Sequence, residues 1–234
     1  MLGVSKNVFI LSGAGISAES GIPTFRGEGG IWRNYNAVDL ATPEAFINDP
    51  VLVWEFYQYR RNVVLHKKPN EGHYALAAME KAFNNAGRNF VIATQNVDGF
   101  HLQSGSKHVY ELHGMLQNLL FLGNLFRVRC GKCGKVSSNK DNPICPAFLT
   151  RSSIPTKISV ADLPHCNDLG KDGLCGGLLR PDIVWFGESL DPDIVCSVEK
   201  AISSADICLV IGTSAVVYPA AGFISTAAMR RIPL

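Results

Sequence analysis

Four residue groupings in this chain have the types and spacing of chemistry. The first is Cys130-x-x-Cys133, with Gly131 and Gly134, followed by Cys166 and Cys175 with eight residues between them. The glycines let the first pair form a knuckle that turns two thiolates toward one point. A second pair then completes a tetrahedral Zn2+ site, closed and therefore structural. Cys145 is a possible substitute ligand, and unpaired buried cysteines remain an alternative. A redox Cys-x-x-Cys would normally follow a strand and open a helix, which this pair does not.

The second grouping is Gly13-x-Gly15-x-x-Ala18, directly after the apolar run Val8–Leu11. Glycines there permit a tight turn and let phosphate oxygens approach backbone N–H groups at a helix start. An ordinary strand-to-helix turn has the same pattern. No acidic residue follows a second strand about 20 residues on, as dehydrogenases require. The chain instead gives Gly21-Ile22-Pro23-Thr24-Phe25-Arg26-Gly27, a loop with an aromatic and a cation.

The third is Gln95-Asn96-Val97-Asp98, with His101 and His113 downstream. Amides and a carboxylate at a strand end can fix a carboxamide or sugar hydroxyls. A histidine in Glu111-Leu112-His113-Gly114 has the right chemistry for a general base, or is simply packed. The fourth is Tyr57-x-x-Arg60, which shares one helix face. A phenol and a guanidinium so placed can clamp a carboxylate; the plainer reading is a basic surface with an aromatic in the core.

These groups need a frame. Val8–Leu11, Val91–Thr94, Ile183–Phe186 and Ile207–Ile211 are short continuous apolar runs that suit strands buried on both faces. Helical spacing recurs over Gly72–Phe83 and Pro192–Ser203. Alternating strands and helices predict an α/β fold with a parallel sheet, whose ligand crevice lies at the carboxyl ends of the strands. Asn36–Asn70, helical and aromatic, and Arg129–Cys175, rich in cysteine and turn formers, read as insertions forming a smaller lobe. The expected division is 1–35, 71–128 and 176–234 for the sheet domain, 36–70 for a helical module and 129–175 for a zinc module.

At 234 residues and 47% hydrophobic, the chain can bury a sizeable core, which excludes general disorder. A net charge of +2 gives no support for a nucleic-acid or membrane-surface partner. No apolar run approaches the roughly 20 residues of a membrane span. Met1–Lys6 has the features of neither a signal peptide nor a transit helix.

Taken together, Gly13-Ala14-Gly15-Ile16-Ser17 with Ser20–Gly27, Thr94–Asp98, His113-Gly114, Cys175-Gly176-Gly177-x-Leu179-Arg180-Pro181, Val184-x-Phe186-Gly187-Glu188 and Gly212-Thr213-Ser214 resemble the sirtuin signature, in the same order. Tyr57-x-x-Arg60, Ala37 before Asp39–Pro43, and Val184-Trp185-Phe186-Gly187-Glu188 look like the family's fifth, mitochondrial type, which removes malonyl, succinyl and glutaryl groups from lysine. The resemblance implies a Rossmann-like domain with a smaller lobe made of a helical module and a zinc ribbon. It implies NAD and one structural zinc per chain as cofactors, and acylated lysines of proteins as partners, with NAD and the acyl-lysine entering between the lobes from opposite sides.

Residue roles follow from the resemblance alone. His113 would be the general base. Asn96 and Asp98 would hold the nicotinamide carboxamide, and Gln95 the ribose. Gly13, Ala14, Gly15, Phe25 and Arg26 would belong to the cofactor loop, and Gly212, Thr213 and Ser214 to the adenosine side. Tyr57 and Arg60 would receive the acyl carboxylate, beside Ala37 and the segment Val184, Trp185, Phe186, Gly187, Glu188. Cys130, Cys133, Cys166 and Cys175 would bind zinc. The products would be nicotinamide, free lysine and O-acyl-ADP-ribose. The mitochondrion is the implied compartment, with cytosol and nucleus also open.

Three departures from the family pattern carry expectations of their own. The chain stops at Leu234, before a family strand and an adenosine wall, which predicts weaker NAD binding. About nine extra, mostly apolar residues before Phe126 predict a displaced His113 or an exposed apolar patch. The second cysteine pair is widely spaced. A sirtuin-like binding protein with impaired catalysis is the alternative these departures support.

Overall fold

A computed structural model describes residues 2–25, 30–114, 124–149, 158–170, 173–214 and 220–234. In chain order its strands are β1 Asn7–Ser12, β2 Ile31–Trp32, β3 Tyr35–Asn36, β4 Asn89–Thr94, β5 Val109–Glu111, β6 Arg127–Cys130, β7 Val136–Ser138, β8 Leu169–Gly170, β9 Gly173–Leu174, β10 Leu179–Pro181 and β11 Ile207–Ile211. The helices are α1 Ala37–Leu40, α2 Pro43–Asn48, α3 Pro50–Leu65, α4 Glu71–Asn85, α5 Phe100–Gln103, α6 Pro192–Ser203 and α7 Ala220–Met229. They form two compact units: Met1–Thr24, Lys67–Gly123 and Ser189–Leu234 in the first, Phe25–His66 and Asn124–Glu188 in the second. Among the described residues no helix is long and apolar enough to cross a membrane.

The first unit is built on a parallel sheet ordered β11-β1-β4-β5. Side chains alternate along β1, so Val8 and Ile10 join a core with Ile16, Leu76, Phe90, Ile92 and Ile207, while Phe9 and Leu11 bury the opposite face. Burial on both faces is why the run reads as continuously apolar. α4 begins with a capping box, in which Asn70 and His73 each bond the other's backbone, and α6 begins with Asp191 accepting from Asp193 N at 2.9 Å before Pro192. Both satisfy amide groups that a helix start leaves open.

The expected strand at Ile183–Phe186 is not one. Ile183 and Trp185 are buried, but the segment is tied down by side chains: Arg180 donates to Ile183 O, and Glu188 accepts from Trp185 N. It belongs to the second unit, and the fourth sheet strand is β5, a short run whose three residues are only half-buried. An apolar run announces burial, not a ladder partner. The helical reading of Asn36–Asn70 resolves into α1, α2 and α3, ending at Leu65.

In the second unit α3 buries Val53, Trp54, Phe56, Tyr57, Arg61 and Val64. Its start is capped by Asp49, which accepts from Leu52 N at 2.9 Å. Trp54 Nε1 donates to Leu179 O at 2.8 Å, and the fully buried Arg61 donates to Leu125 O, Asn139 O and Asp141 O. A charged side chain is rarely buried unless it is paired, and Arg61 is. Its donors satisfy carbonyls of an irregular segment that no ladder reaches. Of the apolar stretch after His113, residues 115–123 lie outside the described set, while Leu125 and Phe126 are buried.

Candidate active site and metal centre

In the first unit the turn after β1 and the turn after β11 close on each other. Gly13 N donates to Ile211 O at 3.0 Å and Gly15 N to Gly212 O at 2.7 Å. A Cβ on Gly212, whose φ is +63°, would lie 2.2 Å from Ile16 N, and one on Gly15 would lie 2.8 Å from Gly212 Cα. Here the glycines are required by backbone-to-backbone approach. Thr213 Oγ1 donates to Gln95 Oε1 at 3.2 Å, and Gln95 N to Ser12 O at 2.9 Å, which brings the end of β4 into the same cluster.

Beneath these turns lies a buried polar network. Ser17 Oγ donates to Asp98 Oδ2 at 2.7 Å, accepts from Asn96 Nδ2 at 3.2 Å and lies 3.3 Å from His73 Nε2. Ser12 Oγ lies 2.8 Å from His101 Nε2. Ser17 and His73 carry no expected role, although Ser17 lies inside the glycine motif; His101, grouped with Gln95–Asp98 by sequence, is a buried partner of Ser12. Burial, and next His73 beside it, lowers His101 to about 3; burial also lowers His73, against the pull of Asp98.

That has a consequence for acid stability. An unfolded histidine takes up a proton near pH 6.5, whereas native His101 does not. The unfolded chain therefore binds more protons below that pH, and stability is lost as pH falls from about 6.5 toward 3. Between pH 7 and pH 5 the loss from His101 is about 2 kcal/mol. Urea midpoints at the two pH values should separate less in His101→Gln than in the unsubstituted protein. An equal separation would exclude His101 as the source.

His113 sits two residues beyond β5. Its Nδ1 lies 2.7 Å from Gln95 O. A carbonyl only accepts, so Nδ1 carries the hydrogen and Nε2 is the basic nitrogen, the tautomer a general base needs. Leu112 N donates to Thr94 O at 2.8 Å, which anchors the segment to β4. Gln95 Nε2 is buried and, among the described residues, has no hydrogen-bond partner. An orphaned amide between two glycine turns fits a ligand that brings hydroxyl or phosphate oxygens, as NAD does.

Of the residues expected to hold the cofactor, Gly13, Ala14, Gly15, Gln95, Asn96, Asp98, Gly212, Thr213 and Ser214 lie in this unit with His113. Phe25 lies in the second unit, where its ring meets Phe56 edge-on at 5.8 Å. Arg26 lies outside the described residues.

The second unit carries the other groups. Cys130, Cys133, Cys166 and Cys175 place their sulfurs within 4.8 Å of one another, at 3.7 Å for Cys130–Cys175 and 3.8 Å for Cys133–Cys166. A tetrahedron with Zn–S bonds of about 2.3 Å has edges of about 3.8 Å. The N–H groups of Lys132 and Cys133 point at Cys130 Sγ, at 3.3 and 3.4 Å. A Cβ on Gly177 would lie 2.6 Å from that sulfur, so the chain leaves room for a metal-bound thiolate only with glycine there. The wide spacing of the second pair is taken up by the β8–β9 hairpin, which returns Cys175 beside Cys166. Cys145 is buried and stands outside the four-sulfur group. The residues fit a structural zinc.

Tyr57 and Arg60 also meet in this unit. The Arg60 guanidinium stands over the rings of Phe25 (4.5 Å), Tyr57 (5.3 Å) and Phe56 (5.5 Å). Ala37 is buried at the start of α1. Phe186, 40% exposed, donates its N–H to Ala41 O at 2.9 Å. Val184 is half-buried, and Gly187 holds a φ of +90°. Burial would raise the Glu188 carboxyl, but hydrogen bonds from Arg180 (2.6 and 2.8 Å) and from Trp185 N hold it below its usual range.

A profile of the Sir2 family matches residues 13–219. The chain is 50% identical to the NAD-dependent protein deacylase sirtuin-5, mitochondrial, of Danio rerio over 98% of its length and 73% of the relative's. It is 45% identical to an NAD-dependent protein deacylase of Pyrococcus furiosus, over 94% of this chain and 77% of that one. Among solved structures it is similar to a Sir2 homolog–NAD complex (TM-score 0.76, 38% identity, 98% of this chain and 76% of that one). It is also similar to Sir2Tm bound to a propionylated peptide (TM-score 0.72, 29% identity, 97% and 79%). The chain belongs to the Sir2 family, among the NAD-dependent protein deacylases of the sirtuin-5 type.

Proposed function

We propose that this deacylase removes succinyl, malonyl and glutaryl groups from protein lysines, and acetyl groups weakly. The supporting observation is the Arg60 guanidinium, stacked among three aromatic rings with the Tyr57 phenol beside it. A cation so packed has surrendered part of its hydration, and a substrate carboxylate returns what water supplied, through short charge-assisted hydrogen bonds. An acetyl group has no such oxygen.

In this reading NAD, when bound, would supply an electrophilic sugar carbon and nicotinamide as the leaving group. Asn96 and Asp98, braced by Ser17, would hold the carboxamide end, and Gln95 Nε2 would donate to a ribose hydroxyl. His113 Nε2 would accept a proton from a ribose hydroxyl, with its Nδ1–H held on Gln95 O. The turns after β1 and β11 would lie along the phosphates. Zinc takes no part in the chemistry. The relatives named sirtuin-5 are mitochondrial, and we assign the activity to the same compartment.

The test is mass spectrometry of peptides carrying succinyl-, malonyl-, glutaryl- or acetyl-lysine, incubated with and without NAD. Arg60→Met should lower kcat/KM for the succinyl peptide by about a hundredfold, the weight of a truncated charged pair. The acetyl peptide should lose far less. Equal losses on both would refute the carboxylate clamp.

A further inference from the structure

Tyr57 is fully buried, and its oxygen is approached by two donors. The Trp185 indole Nε1 lies 2.8 Å from it, and Arg60 bonds it as well. An indole N–H and a guanidinium donate only, so the phenol oxygen accepts from both. The hydroxyl hydrogen is thereby turned away from Trp185 and Arg60, into the direction in which a further acceptor must stand. Trp185 is itself held on several sides. Arg180 stacks on its ring at 3.7 Å and grips Glu188 with two bonds, Glu188 accepts the Trp185 amide, and Phe46 packs at 5.4 Å.

We propose that Trp185 is a positioning residue for acidic acyl groups: its indole N–H fixes the Tyr57 hydroxyl so that the O–H is presented to the acyl carboxylate. This rests on the reading that Tyr57 and Arg60 receive that carboxylate. Glu188 and Arg180 belong to the same device, since they stop the indole from turning. An uncharged acyl group offers no acceptor to the oriented hydroxyl, so the device acts on selectivity.

Trp185→Phe keeps an aromatic ring and removes the N–H. The ratio of kcat/KM for succinyl-lysine over acetyl-lysine peptide should fall about tenfold, carried by KM for the succinyl peptide. In a Tyr57→Phe background the same substitution should cause no further fall, because its effect passes through the hydroxyl. Equal losses on both peptides, or a full additional fall in Tyr57→Phe, would overturn the proposal. Arg60→Met, assayed alongside, separates the two ideas. If it leaves the ratio unchanged, the clamp reading itself fails. If it lowers the ratio and Trp185→Phe does not, only the role of the indole fails. Should Trp185→Phe not fold, the unsubstituted protein labelled with 15N at its three tryptophans decides. The Trp185 Nε1–H resonance should shift with succinyl-lysine peptide and stay with acetyl-lysine peptide; a response to both or to neither overturns the proposal.

Discussion

Exchanging His113 for glutamine should lower the deacylation rate by about a hundredfold to ten-thousandfold, the range for loss of a positioned general base. Glutamine keeps a polar side chain able to bond Gln95 O but has no basic nitrogen. NAD binding, measured by calorimetry, should change little, because the turns around Gly13, Gly15 and Gly212 and the Gln95–Thr213 contact do not depend on the imidazole. The expected signature is a fall in kcat at nearly constant affinity. A drop of less than tenfold would remove His113 from the chemistry. A collapse of NAD binding would make it a structural element instead.

Zinc removal should have an effect of comparable size by another route. Structural Zn2+ bound by four thiolates contributes roughly 10–16 kcal/mol at neutral pH, about as much as the whole stability of a typical domain. The cluster also fixes the chain around β6 and β10, on which Trp54 and Arg61 of α3 depend for partners. A strong chelator, or Cys130→Ser with Cys133→Ser, should therefore abolish the near-ultraviolet circular dichroism of the second unit and all deacylation together. Metal analysis of the untreated protein should give one zinc per chain. Full activity in a zinc-free sample would contradict a structural role.

Much of the site was legible because its parts are local. Gly13 and Gly15 mark a turn that tolerates no Cβ, Cys130-x-x-Cys133 marks a knuckle, and Tyr57 and Arg60 fall on one helix face by spacing alone. The four cysteines that cluster could be named despite the loose second pair, since a hairpin inserted between two of them changes their spacing while their sulfurs still meet. The sheet was readable to the extent that β1, β4 and β11 are continuous apolar runs.

The parts that escaped depend on who meets whom. Ile183–Phe186 has the apolarity of a central strand, yet its hydrogen bonds go to Arg180, Glu188 and Ala41 rather than to a ladder. Val109–Glu111, short and half-buried, takes the sheet edge that leads to His113. Arg61 is buried because carbonyls about 80 residues away, at Asn139 and Asp141, take its donors. Sequence by itself determined which chemical groups this protein carries and which turns can hold them, because residue type and short spacing act within a few bonds. Tertiary structure alone decided which buried polar atoms satisfy one another, among them Ser17 with Asp98, Trp185 with Tyr57 and Arg61 with Asn139, because a buried donor is settled only by the acceptor that packing brings to it.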